Sequence, residues 1–147
     1  MGDVSEIQQA KVWLYEALHD NSDIESIVGT RIYADYAPNV PSARAYPYIL
    51  FNYMGGNDVD GLGTARIFSE PLFQVRAVFE GRPDDDARLL DKRIDDVLQV
   101  AAYQQSGDYY FTSRRESPVD RLETDPSTGK RYFNLGGMYR LWIGATI

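Results

Sequence analysis

The sequence contains no cysteine among its 147 residues. Disulfides, thiolate metal sites and a cysteine nucleophile are therefore excluded. Its only histidine is His19, whereas a catalytic triad or a zinc site needs a histidine with partners. Neither a G-x-S-x-G elbow nor a phosphate-binding loop occurs in the sequence. An enzyme is the weaker hypothesis, and we expect a protein that uses no cofactor and no metal.

Long hydrophobic runs are also absent. The longest apolar run, 46–51, is far shorter than the ~18 residues that a membrane-spanning helix requires. The first residues, MGDVSEIQQ, lack both the basic and the apolar region of a secretory signal. We therefore expect a soluble, intracellular protein with no membrane partner.

The sequence also has few positive charges relative to its acids. Its 15 Lys and Arg stand against 22 Asp and Glu, which gives a net charge of −7 and a pI of about 4.6. Because nucleic-acid-binding proteins generally cluster basic residues against the phosphate backbone, we expect no sequence-specific nucleic-acid binding. The doublets Arg114-Arg115 and Lys130-Arg131 are local exceptions, each flanked by acids or turn residues.

Hydrophobic residues make up 44% of the chain, enough for one domain over residues 1–147. Apolar residues recur at spacings of three and four from Val4 to Leu18, which predicts a helix. A short turn of helix is predicted over Ile24 to Val28, with Gly29 as its left-handed stop.

Alternation of apolar and other residues predicts strands in much of the remaining chain. The predicted strands cover 30–36, a segment that begins at about Tyr48, 64–80, 109–115, 119–122 and 131–147. Pro71 predicts a bulge or an edge, because proline cannot donate to a sheet. The segment ETDPSTGK, 123–130, has the composition of a turn. The order of elements predicts an α+β fold: a mostly antiparallel sheet with an N-terminal helix and a second amphipathic helix packed on one face.

The second helix is predicted over Asp84 to Ala102, in the stretch GRPDDDARLLDKRIDDVLQ. Such a density of aspartate is typical of a divalent-metal site, of an acid/base enzyme or of the solvated face of a helix. On a helical wheel the apolar residues surround Leu90. The opposite half carries Asp84, Asp85, Asp91, Asp95 and Asp96.

Two basic residues favour the solvated face. Arg88 and Lys92 lie three or four residues from aspartates, a spacing that forms ion pairs on a helix surface. A metal site would use convergent carboxylates without cations between them. Asp84 suits the N-cap, and Asp85 and Asp86 lie in the first turn, where the helix dipole favours anions. The pattern therefore predicts a role in architecture rather than in chemistry.

The segment GGNDVDGLG, 55–63, is predicted to be a loop or the tip of a long hairpin, because it is too glycine-rich and polar for a core. Asp58 and Asp60 resemble ligands of a calcium loop. Gly56 and Ile67 stand where the first and last ligands would be, so we reject a calcium site.

Aromatic residues are numerous, with 11 Tyr, six Phe and two Trp. Two interpretations stay open. Tyr and Trp are enriched where proteins contact proteins, and strands favour aromatic residues without any partner.

Four stretches follow one another along the chain: GTRIYADYAP (29–38), YPYILFNYMGG (46–56), FQVRAVFEGRPDDDARLLDKRIDDVL (73–98) and RYFNLGGMYRLWI (131–143). In this order they resemble the tail completion or tail terminator proteins of long-tailed bacteriophages. In that family a helix precedes a short strand, a Pro-Tyr opens the next strand, and a strand, a glycine corner and an amphipathic helix follow. The resemblance covers most of the chain and depends on the series rather than on any one piece.

The resemblance implies an α+β subunit that assembles, usually as a hexameric ring, on the head-proximal end of a tail tube. There it would stop tube growth and provide the surface that joins the head. The implied partners are other copies of the chain, the tail tube protein and a head-completion or connector protein. The implied location is the virion tail, assembled in the host cytoplasm. Two other functions stay open: another head-to-tail connector of the neck, or a small acidic metal-dependent enzyme.

A ring needs a head-to-tail interface, which two different patches of each subunit form. Loops and exposed strand edges are natural candidates for those patches. We therefore expect partner contacts in the loop that comprises Gly55, Gly56, Asn57, Asp58, Val59, Asp60, Gly61, Leu62 and Gly63, and in the turn that contains Asp125 and Lys130.

Overall fold

The computed structural model describes residues 5–37, 46–60, 66–81 and 84–145. These residues form three helices and six strands. In chain order the elements are α1 (Glu6–His19), α2 (Ser22–Val28), β1 (Ile32–Ala34), β2 (Tyr48–Asp60), β3 (Arg66–Glu80), α3 (Asp85–Leu98), β4 (Val100–Ser106), β5 (Tyr109–Thr124) and β6 (Arg131–Ala145).

The six strands form one sheet in the order β1-β2-β3-β6-β5-β4. β1 pairs with β2 in parallel, and every other neighbouring pair of the described strands is antiparallel. The predicted α+β fold with a mostly antiparallel sheet is therefore confirmed.

The first two helices begin and end at residues suited to those positions. Ser5 caps α1 by accepting a hydrogen bond from the Gln8 N–H, and Asn21 caps α2 in the same way. Gly29 ends α2 with a φ of 59°, as predicted, in the region that a side chain disfavours.

One face of the sheet packs against all three helices. This main core contains Phe73, Val75, Ala77 and Phe79 of β3, together with Ile49 and Phe51 of β2. The helices contribute Ala10, Trp13, Leu14 and Leu18 of α1, Ile24 and Val28 of α2, and Ala87, Leu90, Ile94 and Leu98 of α3. The ring of Trp13 stacks on that of Phe111, with ring centroids 5.2 Å apart, and so joins α1 to β5.

The opposite side of the sheet, which we call the second face, carries a smaller cluster. Tyr48 and Leu50 of β2 lie there beside Val78 of β3. Tyr33 and Tyr132 pack against them.

The helix α3 is shorter than predicted. It ends at Leu98 rather than at Ala102, because Gln99 leaves the helical conformation with a ψ of 83°. The chain from Val100 onward forms β4, a strand that the sequence did not predict. Pairing of β4 with β5 competes with the helix here, and the Ser113 hydroxyl donates a hydrogen bond to the Leu98 carbonyl.

Two further strand predictions were wrong in their bounds. The predicted strands 109–115 and 119–122 form the single strand β5, which continues through a bulge between Arg115 and Ser117 beside Pro118. β1 covers Ile32–Ala34 rather than 30–36. The bulge predicted near Pro71 is confirmed, although the extra residue lies in β2, between Tyr53 and Gly56.

Candidate functional site

The first predicted contact segment, 55–63, is mostly strand. Gly55 lies in the bulge with a φ of 105°, and β2 then continues to Asp60, which pairs with Arg66. The loop prediction is therefore wrong for Gly55, Gly56, Asn57, Asp58, Val59 and Asp60, whereas a long hairpin agrees with this pairing. Backbone pairing with β3 outweighs the low strand preference of glycine here. Gly61, Leu62 and Gly63 lie outside the described residues.

The second predicted segment is a compact turn between β5 and β6. The Asp125 N–H donates to the Lys130 carbonyl at 2.9 Å. The Asp125 carboxylate accepts hydrogen bonds from the hydroxyl and the N–H of Ser127, which lower the pKa of Asp125. The Lys130 ammonium lies 3.4 Å from the Glu80 carboxylate.

These two segments lie at opposite ends of the sheet. Phe68 of β3 pairs with Gly144 near the β2–β3 hairpin, and Glu80 pairs with Tyr132 beside the turn. The 15 residues of β6 join the two ends. At ~3.3 Å per residue this strand is roughly 45 Å long. One chain therefore carries two different and distant surfaces.

The aspartate-rich helix has the predicted cap and the predicted buried stripe. The Asp84 carboxylate accepts a hydrogen bond from the Ala87 N–H at 2.9 Å. Ion pairs at helical spacing join Arg88 to Asp85 at 2.8 Å and Lys92 to Asp96 at 3.1 Å. Leu90 is fully buried, as its central place in the stripe predicts.

Asp91 and Asp95 are placed differently from the prediction, because they contact the sheet. Arg115 of β5 lies 2.8 Å from the Asp91 carboxylate and 3.4 Å from that of Asp95. The Tyr139 hydroxyl donates to Asp95 at 3.0 Å and accepts from the Arg115 Nε at 3.2 Å. Sequence analysis missed this network, because Arg115 and Tyr139 are distant from α3 along the chain.

The chemistry of this network is that of a structural link. Burial raises the pKa of the Tyr139 hydroxyl well above its ordinary value of 10.0, so Tyr139 stays protonated. Burial opposes the charge of Arg115, but hydrogen bonds with Asp91 and Tyr139 more than compensate and raise its pKa. A neutral phenol and carboxylates bound to an arginine are poor general bases.

Metal ligands do not converge in the part of the chain that the structure describes. No group of three or more His, Cys, Asp or Glu there could hold a metal ion. His19 lies at the end of α1, where its ring stacks on that of Tyr15 and lies 3.4 Å from the Asp20 carboxylate. Within the same described ranges, no helix is both long and apolar enough to cross a membrane.

The second face carries two clusters that sequence analysis did not identify. Near the β5–β6 turn, the ring of Tyr46 lies 5.4 Å from those of Tyr48 and Tyr132. Near the β2–β3 hairpin, Arg140 donates to the Glu116 carboxylate at 2.9 and 3.3 Å. The hydrogen bond from Arg140 lowers the pKa of Glu116.

Three side chains of the basic doublets contact other residues of the chain. The Arg114 guanidinium lies 5.1 Å from the centre of the Trp142 ring, Arg115 pairs with Asp91 and Lys130 with Glu80. These three side chains therefore do not form a separate basic patch.

The aromatic residues divide between the core and the surface. The largest fully buried side chains include Tyr139, Phe51, Phe73 and Phe111. Tyr36 and Tyr103 are 77% and 67% exposed. The preference of strands for aromatic residues thus accounts for some of them, whereas Tyr36 and Tyr103 remain exposed.

The chain is similar to one in a solved structure described as "Virion of native gene transfer agent (GTA) particle", with 15% identity, a TM-score of 0.59 and coverage of 90% of this chain and 92% of that chain. The two chains share a fold. A second solved chain, which carries no functional description, is 12% identical with a TM-score of 0.59, over 98% of this chain and 99% of that one. No protein-family model and no curated protein matches the sequence.

Proposed function

We propose that the chain is a structural protein of a phage-like virion and that it caps the head-proximal end of a tail tube. The observation that supports this proposal is the fold shared with a chain of the gene transfer agent particle over 90% of the sequence. That likeness agrees with the resemblance of the ordered sequence motifs to tail terminator proteins. In this role the protein stops tube growth and provides the surface that joins the head.

The distant ends of the sheet suit such a cap. A ring subunit contacts two neighbours through different patches, and a cap also contacts a tube on one side and a head connector on the other. The β2–β3 hairpin and the turn from Asp125 to Lys130 provide two surfaces at opposite ends of β6. We propose that the partners are other copies of the chain in a hexameric ring, the tail tube protein and a head-completion protein. The ring then belongs to the virion tail and assembles in the host cytoplasm.

The proposed role needs no catalysis. The aspartates of α3 and its N-cap form the helix cap, ion pairs at the surface and the Arg115 network. We propose that these groups stabilise the subunit and that the protein is not an enzyme. An acidic subunit around a DNA passage would repel the phosphate backbone and let DNA slide. Tight binding of DNA at physiological salt would contradict this part of the proposal.

The shared fold supports a second candidate, another head-to-tail connector of the neck. The name of the similar solved chain identifies the particle, but not the place of that chain within the particle. A terminator and a neck protein of similar fold therefore have equal support from that likeness, and the motif resemblance favours the terminator.

Disruption of the gene distinguishes the two roles. Particles produced without a terminator should carry tail tubes of abnormal length, because nothing stops polymerisation. Particles produced without a neck protein should have tails of normal length that are not joined to heads. Electron microscopy of lysates measures both quantities, and normal particles in the absence of the chain would contradict both roles.

A further inference from the structure

Both edges of the sheet are stepped, because each outermost strand covers only part of its neighbour. β4 pairs with residues 109–113 of β5, and β1 pairs with residues 49–51 of β2. Both β5 and β2 continue beyond these pairings. Residues 114–124 of β5 and 52–60 of β2 therefore have no strand on their outer side in the part of the chain that the structure describes. We call these two segments the β5 edge and the β2 edge.

The backbone at each edge is directed outward at a known residue. The Asp35 N–H donates to the Phe51 carbonyl on the outer side of β2, and alternation along the strand directs the backbone of Tyr53 the same way. The Asp125 N–H donates to the Lys130 carbonyl, toward β6, so alternation directs the backbone of Leu122 away from β6. Outward N–H and C=O groups of this kind pair with a strand of another chain.

Each edge also carries an exposed apolar side chain on the side of the helices. Tyr53 is 41% exposed and Leu122 is 49% exposed. The Tyr53 ring lies 5.6 Å from that of Phe73, a residue of the main core. Leu122 pairs with Phe133, which packs against the same core. Pairing of Tyr53 with Leu122 between two chains therefore agrees in backbone direction and in the face of the sheet, and it covers both side chains.

The strand directions allow the sheet to continue from one copy of the chain to the next. β3 is antiparallel to both β2 and β6, and β5 is antiparallel to β6. β2 and β6 therefore run in one direction, and β3 and β5 run in the other. When a second copy lies in the same orientation beside the first, its β2 is antiparallel to the β5 of the first copy. The two edges lie on opposite sides of the sheet, as a head-to-tail contact requires.

The offset between the two edges suits a closed ring. Tyr53 is level with Tyr139 of β6 through Phe73, and Leu122 is level with Phe133 of β6. Tyr139 and Phe133 are six positions apart, which is ~20 Å along a strand. One copy contributes four strands across the sheet, which is ~19 Å at ~4.8 Å per strand. An offset of ~20 Å over ~19 Å corresponds to a strand tilt of about 45°, and strands in closed sheets tilt by about 35 to 45°.

We propose that the β5 edge of one copy pairs antiparallel with the β2 edge of the next copy, with Leu122 opposite Tyr53. A second copy is the occupant because the sheet offers both halves of this pairing at the offset that ring closure needs. The contact depends on backbone hydrogen bonds and an apolar pair, so it does not need opposite net charges. This inference rests on the proposed ring and assigns its two contact surfaces.

Engineered disulfides test the pairing, because the chain contains no cysteine of its own. In the proposed register Asn52 of one copy lies opposite Glu123 of the next. Within one chain β3 and β6 separate these two residues by at least ~14 Å, too far for a disulfide. We expect the double variant Asn52→Cys/Glu123→Cys, oxidised with oxidised glutathione, to give a ladder of linked copies on a denaturing gel without reductant.

A matched control keeps one thiol at the edge and moves the other to a helix. Lys92 of α3 is 69% exposed, so Asn52→Cys/Lys92→Cys has two accessible thiols but only one at an edge. We expect at least ~10-fold less cross-linking from this control. Equal cross-linking of the two double variants, or no ladder from Asn52→Cys/Glu123→Cys, would overturn the proposal.

A single charge at the edge tests the apolar pair. We expect Leu122→Lys to weaken self-association at least ~10-fold in analytical ultracentrifugation, with a nearly unchanged melting temperature because Leu122 is exposed. Leu89 of α3 is 41% exposed, and Leu89→Lys should leave self-association unchanged. An original chain that stays monomeric at about 1 mM, or equal association of the two variants, would contradict the pairing.

Salt separates this contact from one that depends on ion pairs. Each copy carries a net charge of −7, and salt screens the repulsion between copies. Self-association should therefore strengthen between about 0.05 and 0.5 M sodium chloride, and dissociation over this range would contradict pairing through the backbone. None of these measurements needs a tail tube, so a failure to cap tubes and a failure of the edges to pair are distinguishable.

Discussion

Gly136 is a position in β6 at which the sheet leaves no room for a side chain. A Cβ atom there would overlap the carbonyl oxygen of Val75 and lie 2.7 Å from the Cα atom of Arg76. Both atoms belong to the backbone of the neighbouring strand and cannot move alone. We expect Gly136→Ala to lower the free energy of unfolding by at least ~2 kcal/mol, measured by urea denaturation.

Gly144 provides the matched control in the same strand. A Cβ atom added at Gly144 would meet no atom of the described residues within 4 Å beyond its chain neighbours. Gly144→Ala should change the free energy of unfolding by less than ~0.5 kcal/mol. Equal urea midpoints for the two variants would contradict the close approach of β3 and β6 at Gly136.

Tyr139 should make stability depend on alkaline pH. Burial raises the pKa of its hydroxyl above the ordinary value of 10.0. The stabilisation by the neutral hydroxyl is therefore complete below pH 10 and is lost as the pH rises toward the pKa of the folded state. At pH 7 we expect Tyr139→Phe to lower the free energy of unfolding by about 1 to 2 kcal/mol, because the hydrogen bonds with Asp95 and Arg115 are lost.

The difference between the original chain and Tyr139→Phe should then decrease as the pH rises above 10. Urea denaturation at a series of pH values measures it. A difference that stays constant or grows over this range would contradict a buried, protonated Tyr139.

At the scale of elements, the contact of α3 with β5 depends on the pair between Asp91 and Arg115. Their side chains are 29% and 20% exposed, so solvent screens the pair only in part. We expect Asp91→Asn to lower the free energy of unfolding by about 1 to 2 kcal/mol. The protein should still assemble, since the proposed role requires no carboxylate chemistry on α3.

Asp96 is the control on the same helix, because it makes a single ion pair with Lys92 at the surface. Asp96→Asn should change the free energy of unfolding by less than ~0.5 kcal/mol. If urea denaturation gave equal losses for the two variants, the link between α3 and the sheet would be without energetic importance.

Elements defined by local patterns could be predicted from the sequence, and elements defined by distant pairing could not. The stripe around Leu90 follows from helical spacing alone. β4 forms because it pairs with β5. No glycine or proline between Leu98 and Ser106 marks the end of the helix in the sequence. The parallel contact of β1 with β2 likewise joins segments that residues 35–47 separate along the chain.

The same distinction between local patterns and distant pairing applies to the surface features. The hairpin and the turn stand out in the sequence through glycine, aspartate and serine. The hydrogen bond between Arg76 and Asn134 does not, because the two residues lie 58 positions apart and each resembles an ordinary polar position in an alternating strand. Only the pairing of β3 with β6 brings the two side chains together.

At the scale of the whole molecule, one face of the sheet forms the main core, and the two ends of the sheet lie far apart. The main core fills the face that contacts the helices. The β2–β3 hairpin and the turn from Asp125 to Lys130 lie at opposite ends of the sheet. Under the proposed function, this division would let the fold remain intact while different surfaces bind a neighbouring subunit, a tube and a connector.

The length of tail tubes tests the central claim most directly. Purified tail tube protein is polymerised with and without the chain, and electron microscopy measures the lengths and the ends of the tubes. We predict that the chain forms a ring at one end of each tube and limits its length. Tubes with bare ends and an unchanged distribution of lengths would contradict a role as tail terminator.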